Sequence, residues 1–339
     1  MSAAPKSEIR VGVITEPASS HLNLYLGSLA KCQGVAAVAL ADPTGSIKSV
    51  HKSFRDCSEM IREFNPHLLI VTLEAHHMPT ALRVAIESGR PVLSEKHPCV
   101  RAADFEPLAE EAQRRKQSLI LAFASRFSPL VQKARDLVRS GTIGKVYSAT
   151  IDIVSDQPRM WRQDYLASWR SKRSTAGGGH LVTTGIHHID LCAYIMGQTI
   201  RRVHGFSRNV GGSPSEVDDA NAIILETSGG AVATLQSGCY RDRGYESRIM
   251  LWGSSGWVRL SVQPSAPMEW YSSASGRVER FEDTTGYFDH EYLPLVQSAV
   301  NTARGIELPA VTVAEGLNVV RTLFGVYEAA KTGRVQQIG

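Results

Sequence analysis

The feature that most constrains the fold is a regular alternation of apolar runs and helical segments over the first 124 residues. The apolar runs are continuous rather than alternating in polarity, so they predict buried parallel strands. They cover residues 9–14, 35–42, 67–73, 91–96 and 118–124. A helical pattern follows each of the first four, and a helix between two strands of one sheet implies a right-handed crossover. We therefore predict a doubly wound parallel sheet over residues 1–124.

The pattern changes at about Lys145, where strand-like runs are separated by short turns with few helices between them. This arrangement is typical of a largely antiparallel sheet. One helix is predicted from His180 to Met196, and two more near the end. A chain of 339 residues favours two domains. We therefore predict a second, α+β domain over residues 125–339 with an open-faced sheet, and the last helix is a candidate to pack back on the first domain.

Composition excludes several classes of protein. With 43% hydrophobic and 21% charged residues the chain is typical of a globular protein, and its net charge of +4 is small. We expect neither a nucleic-acid partner nor a membrane partner, because no basic motif and no apolar run of membrane-spanning length is present. The five cysteines include no C-x-x-C pair, and no secretory signal is visible at the start. These features predict reduced thiols in a cytoplasmic protein.

Four segments carry a family resemblance: "VLSEKHP", "RFSPLVQKARDLVRSGTIGKVYSA", "GGGHLVTTGIHHIDL" and "YEAAKTGRVQ". In order and spacing, over nearly the whole chain, they resemble the Gfo/Idh/MocA family of nicotinamide-dependent oxidoreductases. The resemblance implies a dinucleotide-binding Rossmann domain followed by a substrate domain, and oxidation or reduction of sugars, cyclitols or related polyols. It also implies a homodimer or homotetramer formed through the C-terminal sheet.

Lys96 matches the lysine of the family's E-K-P motif, which here reads Glu95-Lys96-His97 with Pro98 one place late. The resemblance implies that Lys96 binds the substrate hydroxyl and tunes proton transfer. An ammonium group suits this role because it stabilises a developing alkoxide. A surface lysine at a strand end is the alternative. The sequence leaves open whether His97 alters the turn or places an imidazole near the substrate.

His187 aligns with the histidine that the family uses as acid and base, a role natural for an imidazole near neutral pH. A core or capping histidine is the alternative. Many members carry an aspartate four residues earlier, where this chain has Thr183, so we expect a different substrate class and a substrate contact at Thr183. Asp190 is interpreted as structural. His180, His187, His188 and Asp190 lack an evident complete ligand set, and we predict no metal site.

The loop before the three glycines is rich in aromatic and cationic residues. Aromatic rings stack on sugars, and arginines bind carboxylates or phosphates with two hydrogen bonds. We select Arg162, Trp169 and Arg170 as substrate contacts, with an ordinary cationic loop as the alternative. The positive charge favours an anionic or nucleotide-linked sugar.

The loop after the first strand, "TEPASSH", departs from the family. The three glycines of G-x-G-x-x-G would align with Thr15, Pro17 and Ser20, and Pro17 lacks a backbone donor. The family's T-P-N motif reads Thr72-Leu73-Glu74, which brings an anion to the cofactor site. The helix after the loop still offers a positive end to a phosphate. We predict cofactor contacts at Thr15, Ser19, Ser20, Asp42, Thr72, Glu74, His77, Glu95 and Lys96.

Asp42 ends the second strand, where an acidic side chain binds the adenosine ribose and disfavours a 2′-phosphate. A turn aspartate before Pro43 is the alternative. The prediction is therefore NAD rather than NADP, bound to a dehydrogenase. Two alternatives stay open: an enzyme that retains NAD and cleaves glycosides without net redox change, and a catalytically silent sugar- or nucleotide-binding protein.

Overall fold

The computed structural model describes residues 5–17, 19–261, 267–283 and 291–339. Its strands, numbered along the chain, are β1 (Ile9–Thr15), β2 (Val35–Ala41), β3 (Lys52–Phe54), β4 (Leu68–Thr72), β5 (Val92–Ser94), β6 (Leu119–Leu121), β7 (Val146–Asp156), β8 (Ile200–Arg208), β9 (Ala220–Thr227), β10 (Val232–Arg241), β11 (Glu246–Gly253), β12 (Gly256–Leu260), β13 (Met268–Ser272), β14 (Arg277–Phe281) and β15 (Gln336–Gln337). The α-helices are α1 (Leu22–Leu29), α2 (Cys57–Glu63), α3 (Met78–Glu87), α4 (Ala102–Arg114), α5 (Pro129–Arg139), α6 (Gln163–Ala167), α7 (Arg173–Ala176), α8 (Ile186–Met196), α9 (Leu293–Arg304) and α10 (Val313–Thr332).

These elements form two compact units. The first comprises Met1–Ala124 and Glu291–Leu317, and the second comprises Ser125–His290 and Asn318–Gly339. Segment 291–317 thus joins the first unit, although the sequence analysis placed it in the second predicted domain. Within the first unit, α9 packs against α1, β1 and β4. The predicted boundaries of independent domains remain a proposal.

The first unit contains the predicted parallel sheet, with strand order β3-β2-β1-β4-β5-β6. Its central strands are buried because their apolar runs are continuous: every residue of β4 is buried. The predicted fold class is confirmed. Strand β3 was not predicted; its three residues pair with β2 but are mostly exposed and polar. The strand order reverses between β1 and β4, and in such sheets ligands bind beyond the carboxyl ends of the strands at that point.

The second unit contains a nine-stranded sheet of order β14-β13-β12-β11-β7-β10-β9-β8-β15. Among the strands that the structure describes, β7 and β10 are the parallel pair and the other neighbours are antiparallel. The sheet is therefore mixed and mostly antiparallel, as predicted. Buried and exposed residues alternate along β9 and β10, so one face is packed and the other is open. Helix α8 packs against α5 and β7.

Two predicted absences concern the whole chain. Within the described ranges, no helix has the length and apolar character needed to cross a membrane. All five cysteines are described; none is paired, and Cys99, Cys192 and Cys239 are buried. Burial raises the pKa of the Cys192 thiol to about 12, so this thiol is neutral at physiological pH.

Candidate functional site

In the first unit, side chains rather than glycines shape the loop after β1. The Thr15 and Ser19 hydroxyls lie 2.9 Å apart, and the Thr72 hydroxyl donates to the Ser20 carbonyl at 2.6 Å. Thr15 and Thr72 are register partners at the ends of β1 and β4. The chain then enters α1 through His21, whose φ of 63° lies in the left-handed region. The N-cap residue His21 makes no side-chain hydrogen bond to α1, so its side chain does not compete for the first backbone amides of this helix.

Glu16 connects the two segments that depart from the family pattern. Its carboxylate accepts a hydrogen bond from the Glu74 backbone N–H at 2.6 Å and contacts His77 Nδ1 at 2.9 Å. Glu16 is buried, while His77 is half exposed. The altered phosphate loop and the altered T-P-N motif are therefore one interacting structure. Glu74 and His77 lie close together, as a shared cofactor role requires.

Glu95 lies in a buried network at the start of α1. Its carboxylate accepts a short hydrogen bond from the Tyr25 hydroxyl and lies 3.3 Å from His21 Nδ1, which also contacts the Tyr292 hydroxyl at 2.8 Å. Burial acts to raise the pKa of Glu95, but His21, Lys96 and Tyr25 outweigh it and the pKa is lowered. Glu95 therefore stays anionic, and its contacts are with the protein.

Asp42 ends β2 as predicted, but its carboxylate organises the following turn. One oxygen accepts from the Thr44 N–H and hydroxyl, and the other from the Ser46 and Ile47 N–H groups, all at 2.8 or 2.9 Å. Although burial acts to raise it, these hydrogen bonds lower the pKa of Asp42. All four acceptor positions of the carboxylate are thus used, which favours the turn role over the ribose role.

Lys96 lies two residues after the end of β5 and is partly exposed, whereas its neighbour His97 is buried. The peptide bond between the two is cis. Both residues follow the carboxyl end of a sheet strand, where the sequence analysis placed them. The burial of His97 leaves Lys96 as the more accessible of the two side chains.

In the second unit, the three glycines allow the backbone to approach other parts of the protein. A Cβ atom on Gly179 would lie 1.9 Å from the Asp218 carbonyl oxygen, and one on Gly178 would lie 2.0 Å from the Tyr327 hydroxyl. The Asp218 carboxylate accepts from the Gly179 N–H at 2.7 Å, the Leu181 N–H at 3.2 Å and the Tyr327 hydroxyl at 2.7 Å. Asp218, which the sequence analysis missed, therefore holds the start of the following helix.

The predicted helix from His180 begins with a π-helical turn, Leu181–Gly185, and continues as α8. Thr183 lies in the π turn, where its hydroxyl donates to the Gly179 carbonyl at 2.9 Å. The Thr183 hydroxyl also lies 3.4 Å from that of Thr184. His187, the second residue of α8, is partly exposed.

The other polar residues of this motif are buried and bound within the core. His180 lies 2.9 Å and 2.7 Å from the hydroxyls of Ser155 and Ser237, and His188 lies 2.7 Å from that of Ser247. Burial lowers the pKa of His188 to about 4 and that of His180 well below its usual value. Asp190 forms a buried ion pair with Arg126 at 2.6 Å, in keeping with a structural role.

The loop before the glycines lines a cavity of about 320 Å³ within the second unit. Arg162, Arg170 and Thr183, three of the four predicted substrate contacts, line it, and Arg159 joins them. Trp169, the fourth, is not in its lining but lies under Arg170, whose guanidinium carbon is 4.7 Å from the indole ring centre. The structure therefore brings most of the predicted substrate contacts together.

A further cluster has the spacing of metal ligands. Glu74, His76 and His77 have ligand atoms within 4.8 Å of one another, and among the described residues no other set of three has this property. The predicted absence of a metal concerned the helix from His180, and these three residues were not considered there. His77 already contacts Glu16, so the cluster is explained by hydrogen bonding within the loop pair.

Sequence reasoning missed Glu16, Asp218 and Arg159. Glu16 could have been noticed in the sequence, because it places a charge at the variable position between Thr15 and Pro17, which stand where the family motif has glycines. Asp218 offered no such signal, since its partner Gly179 lies 39 residues away. Arg159 lies just outside the segment from which substrate contacts were chosen.

Known proteins resemble this chain in both sequence and fold. The model of the Gfo/Idh/MocA C-terminal domain matches residues 131–259. Myo-inositol 2-dehydrogenase of Thermotoga maritima is 26% identical over 61% of this chain and 60% of its own length. D-xylose 1-dehydrogenase (NADP(+)) 2 of Haloferax volcanii is 27% identical over 76% of both chains.

Among solved structures, the WlbA dehydrogenase of Bordetella pertussis in complex with NADH and UDP-GlcNAcA shares the fold. It has a TM-score of 0.80 at 19% identity, over 98% of this chain and 99% of its own. The parallel sheet, the mixed second sheet and the matched sequences agree. The chain belongs to the Gfo/Idh/MocA family of oxidoreductases.

Proposed function

We propose that the protein is an NAD(H)-dependent oxidoreductase that acts on a hydroxyl or keto carbon of a sugar, a cyclitol or a related polyol. The observation that carries this proposal is the parallel sheet with the α1 N-terminus at its strand-order reversal, the arrangement that binds dinucleotides. The names of the relatives, an inositol dehydrogenase and a xylose dehydrogenase, support the substrate class.

The first unit fits a dinucleotide, with one unfavourable feature. The N-terminus of α1 offers backbone amides to a phosphate, and Thr15, Ser19, Ser20 and Thr72 offer hydroxyls beside it. Glu16 and Glu74 bring negative charge to the same loops, which weakens the binding of an anionic cofactor. The anionic Asp42 at the end of β2 disfavours an additional phosphate, so we choose NAD over NADP although one relative is named for NADP(+).

NAD(H), when bound, supplies hydride transfer. We assign to Lys96 the binding of the reacting oxygen, and to His187 the transfer of its proton. Thr183, which replaces the aspartate expected from the family pattern, lines the cavity of the second unit, where it can contact a substrate hydroxyl. These roles rest on motif position and on the partial exposure of both side chains.

Two measurements test the proposal. The purified protein is denatured and its supernatant analysed for NAD by mass spectrometry, and NADH formation is followed at 340 nm with a panel of polyols. NADH formed in proportion to a ketone product supports the proposal. Product without NADH, with NAD retained, indicates the non-redox alternative. Absence of cofactor together with no thermal stabilisation by NAD indicates a silent binding protein.

We further propose a homodimer or homotetramer that forms through the open face of the second sheet. This face exposes large apolar side chains, including Phe206, Ile224, Trp252 and Val278, each about half exposed or more. Exposed apolar surface of this kind is typical of interaction sites. Light scattering after size exclusion would give the mass, and Trp252→Arg is expected to lower it to that of a monomer. A cytoplasmic location remains a prediction from the cysteine usage.

A further inference from the structure

The cavity of the second unit has an excess of positive charge. Its lining includes three arginines, Arg159, Arg162 and Arg170, and one carboxylate, Asp164. Arg162 Nε donates to Asp164 at 2.9 Å and its terminal nitrogen contacts the same carboxylate, so these two charges neutralise each other at the surface. The Arg170 guanidinium lies over the Trp169 ring, 4.7 Å from its centre.

Arg159 differs from Arg162 in its burial, because Arg162 is exposed whereas Arg159 is partly buried. Its Nε atom is buried and has no hydrogen-bond partner among the described residues. No carboxylate in the described ranges forms an ion pair with it. A buried guanidinium donor without an acceptor is unfavourable by itself, and it is therefore a site where a ligand acceptor gains the full hydrogen bond.

Three of the groups that face Arg159 are neutral at physiological pH. Burial raises the pKa of Cys239 to about 11 and that of Tyr165 to about 12, so the thiol and the phenol are neutral at physiological pH. Burial also lowers the pKa of His180 well below its usual value, which leaves that imidazole neutral. The Asp218 carboxylate is used by the Gly179, Leu181, Asn221 and Tyr327 donors.

The position of Arg159 is fixed by its neighbours. It belongs to a short 3-10 helix, Pro158–Trp161, whose Met160 packs with Val217, Cys239 and Tyr165 in a small apolar cluster. The Arg162 N–H donates to the Arg159 carbonyl at 3.3 Å. A guanidinium on a fixed backbone binds an oxyanion without first losing much freedom.

We propose that this cavity binds an anionic group of the substrate, a carboxylate or a phosphate, and that Arg159 is the residue that receives it. Hydroxyls of Thr183, Thr184 and Ser168 line the same cavity and match the hydroxyls of a polyol. A volume of about 320 Å³ suits a monosaccharide acid or a sugar phosphate. This inference rests on the proposed function for the identity of the polyol and narrows its substrate to an anionic one.

Calorimetric titration tests the proposal with three probes: D-glucose, D-glucuronate and D-glucose 6-phosphate, all at one ionic strength. A charge-assisted hydrogen bond contributes about 1.5–3 kcal/mol, so at least one anion is expected to bind about tenfold or more tightly than glucose. The glucuronate and phosphate arms show which anion the site takes. Equal affinities for all three, or no binding of any, would overturn the proposal.

Arg159→Met is expected to abolish the preference for the anions over glucose. The matched control is Arg248→Met, because Arg248 lies on the second sheet and pairs with Asp152 outside the cavity. An unchanged preference in Arg159→Met would refute the role of Arg159. Arg159→Lys, which keeps the charge, is expected to retain part of the preference even where the methionine variant is poorly folded.

A different measurement, the titration of NADH, tests the proposed function. NADH titration reports on the first unit, and none of its described residues lines this cavity. Anion preference without NADH binding would remove the proposed function and keep the anion site. NADH binding without anion preference would do the reverse.

Discussion

Two turns that lead into helices differ in the residues that form them. They are residues 15–21 in the first unit and residues 177–180 in the second. The first contains no glycine and is held by the side chains of Thr15, Glu16 and Ser19. The second consists largely of glycine and is held by Asp218, which approaches so closely that a Cβ atom on Gly179 would overlap its carbonyl.

The presence or absence of glycine in a turn therefore has a different cause in each unit. In the second unit the glycines are required by contacts inside the protein, so their presence indicates no ligand. In the first unit the missing glycines are replaced by an ordered network, so their absence does not mean that the loop has lost its structure. What has changed is its charge, because Glu16 now lies where a phosphate-binding loop has backbone donors.

The largest expected effect is a loss of turnover on substitution of the two proposed catalytic residues, one in each unit. Lys96→Ala and His187→Ala are each expected to lower turnover at least about a hundredfold, because proton-transfer groups contribute that much. NAD affinity should stay nearly unchanged in both. Steady-state kinetics and NADH titration check this, with Lys145→Ala as an exposed control. Wild-type turnover in either variant would remove the role assigned to that residue.

A second prediction separates the units by acid stability. The pKa of His188 is about 4 in the folded protein and about 6.5 in an unfolded chain. The unfolded state therefore takes up a proton first, and the free energy of unfolding falls by about 3 kcal/mol as pH falls from about 6.5 to about 4. Glu95 has a lowered pKa, so its contribution in the first unit is lost only below its unfolded value of about 4.5.

All five tryptophans lie in the second unit, so urea unfolding followed by tryptophan fluorescence reports on that unit alone. We expect the urea concentration at the unfolding midpoint to decrease as the pH is lowered from 6.5 to 5. In His188→Gln we expect this decrease to be smaller. Far-UV circular dichroism of the variant at pH 7.5 is the control for folding. A decrease that is the same in both proteins would show that His188 is not the titrating group.

A third prediction concerns the close approach in the second turn. Gly179→Ala places a methyl group against the Asp218 backbone, which has no flexible end to move, and is expected to destabilise the protein by about 2 kcal/mol or more. Gly197→Ala is the matched control. A Cβ there meets nothing within 4 Å, so its effect of about 1 kcal/mol reflects only the positive φ of 63°. Equal losses of stability would show that close approach does not explain the glycine.

The smallest effect is expected in the first turn. Glu16→Gln keeps an oxygen for the Glu74 N–H and removes one negative charge from the phosphate-binding end of the sheet. NADH is expected to bind a few-fold more tightly, since a single partly screened charge contributes up to about 1 kcal/mol. Glu63→Gln, an exposed change on α2, is the control for net charge. Weaker NADH binding in Glu16→Gln would indicate that the carboxylate supports the cofactor loop.

More of the fold than of the site could be predicted from the sequence. Continuous apolar runs predicted β1, β2, β4, β5 and β6, because burial on both faces leaves a pattern in the residues themselves. The polar strand β3 leaves no such pattern and depends on its neighbour β2. At the site, motif positions predicted Lys96 and His187, whose roles stay predictions.

The partners of those motifs could not be predicted. Glu16 meets residues 58 and 61 positions away, and Asp218 meets a glycine 39 positions away. Such contacts arise from the tertiary fold, and local spacing carries no information about them. The buried, unpartnered Nε atom of Arg159 is likewise a result of burial in the folded chain.

The return of residues 291–317 to the first unit has a consequence for the order of synthesis. Tyr292 contacts His21, and α9 packs on β1 and β4, yet a ribosome must first make the whole segment from 125 to 290. At typical rates of elongation this takes roughly ten seconds or more. During that interval the surface of β1 and β4 that α9 covers stays exposed. Strands β7 to β14 of the second sheet can already pair. The part of the chain made first is therefore completed only near the end of synthesis.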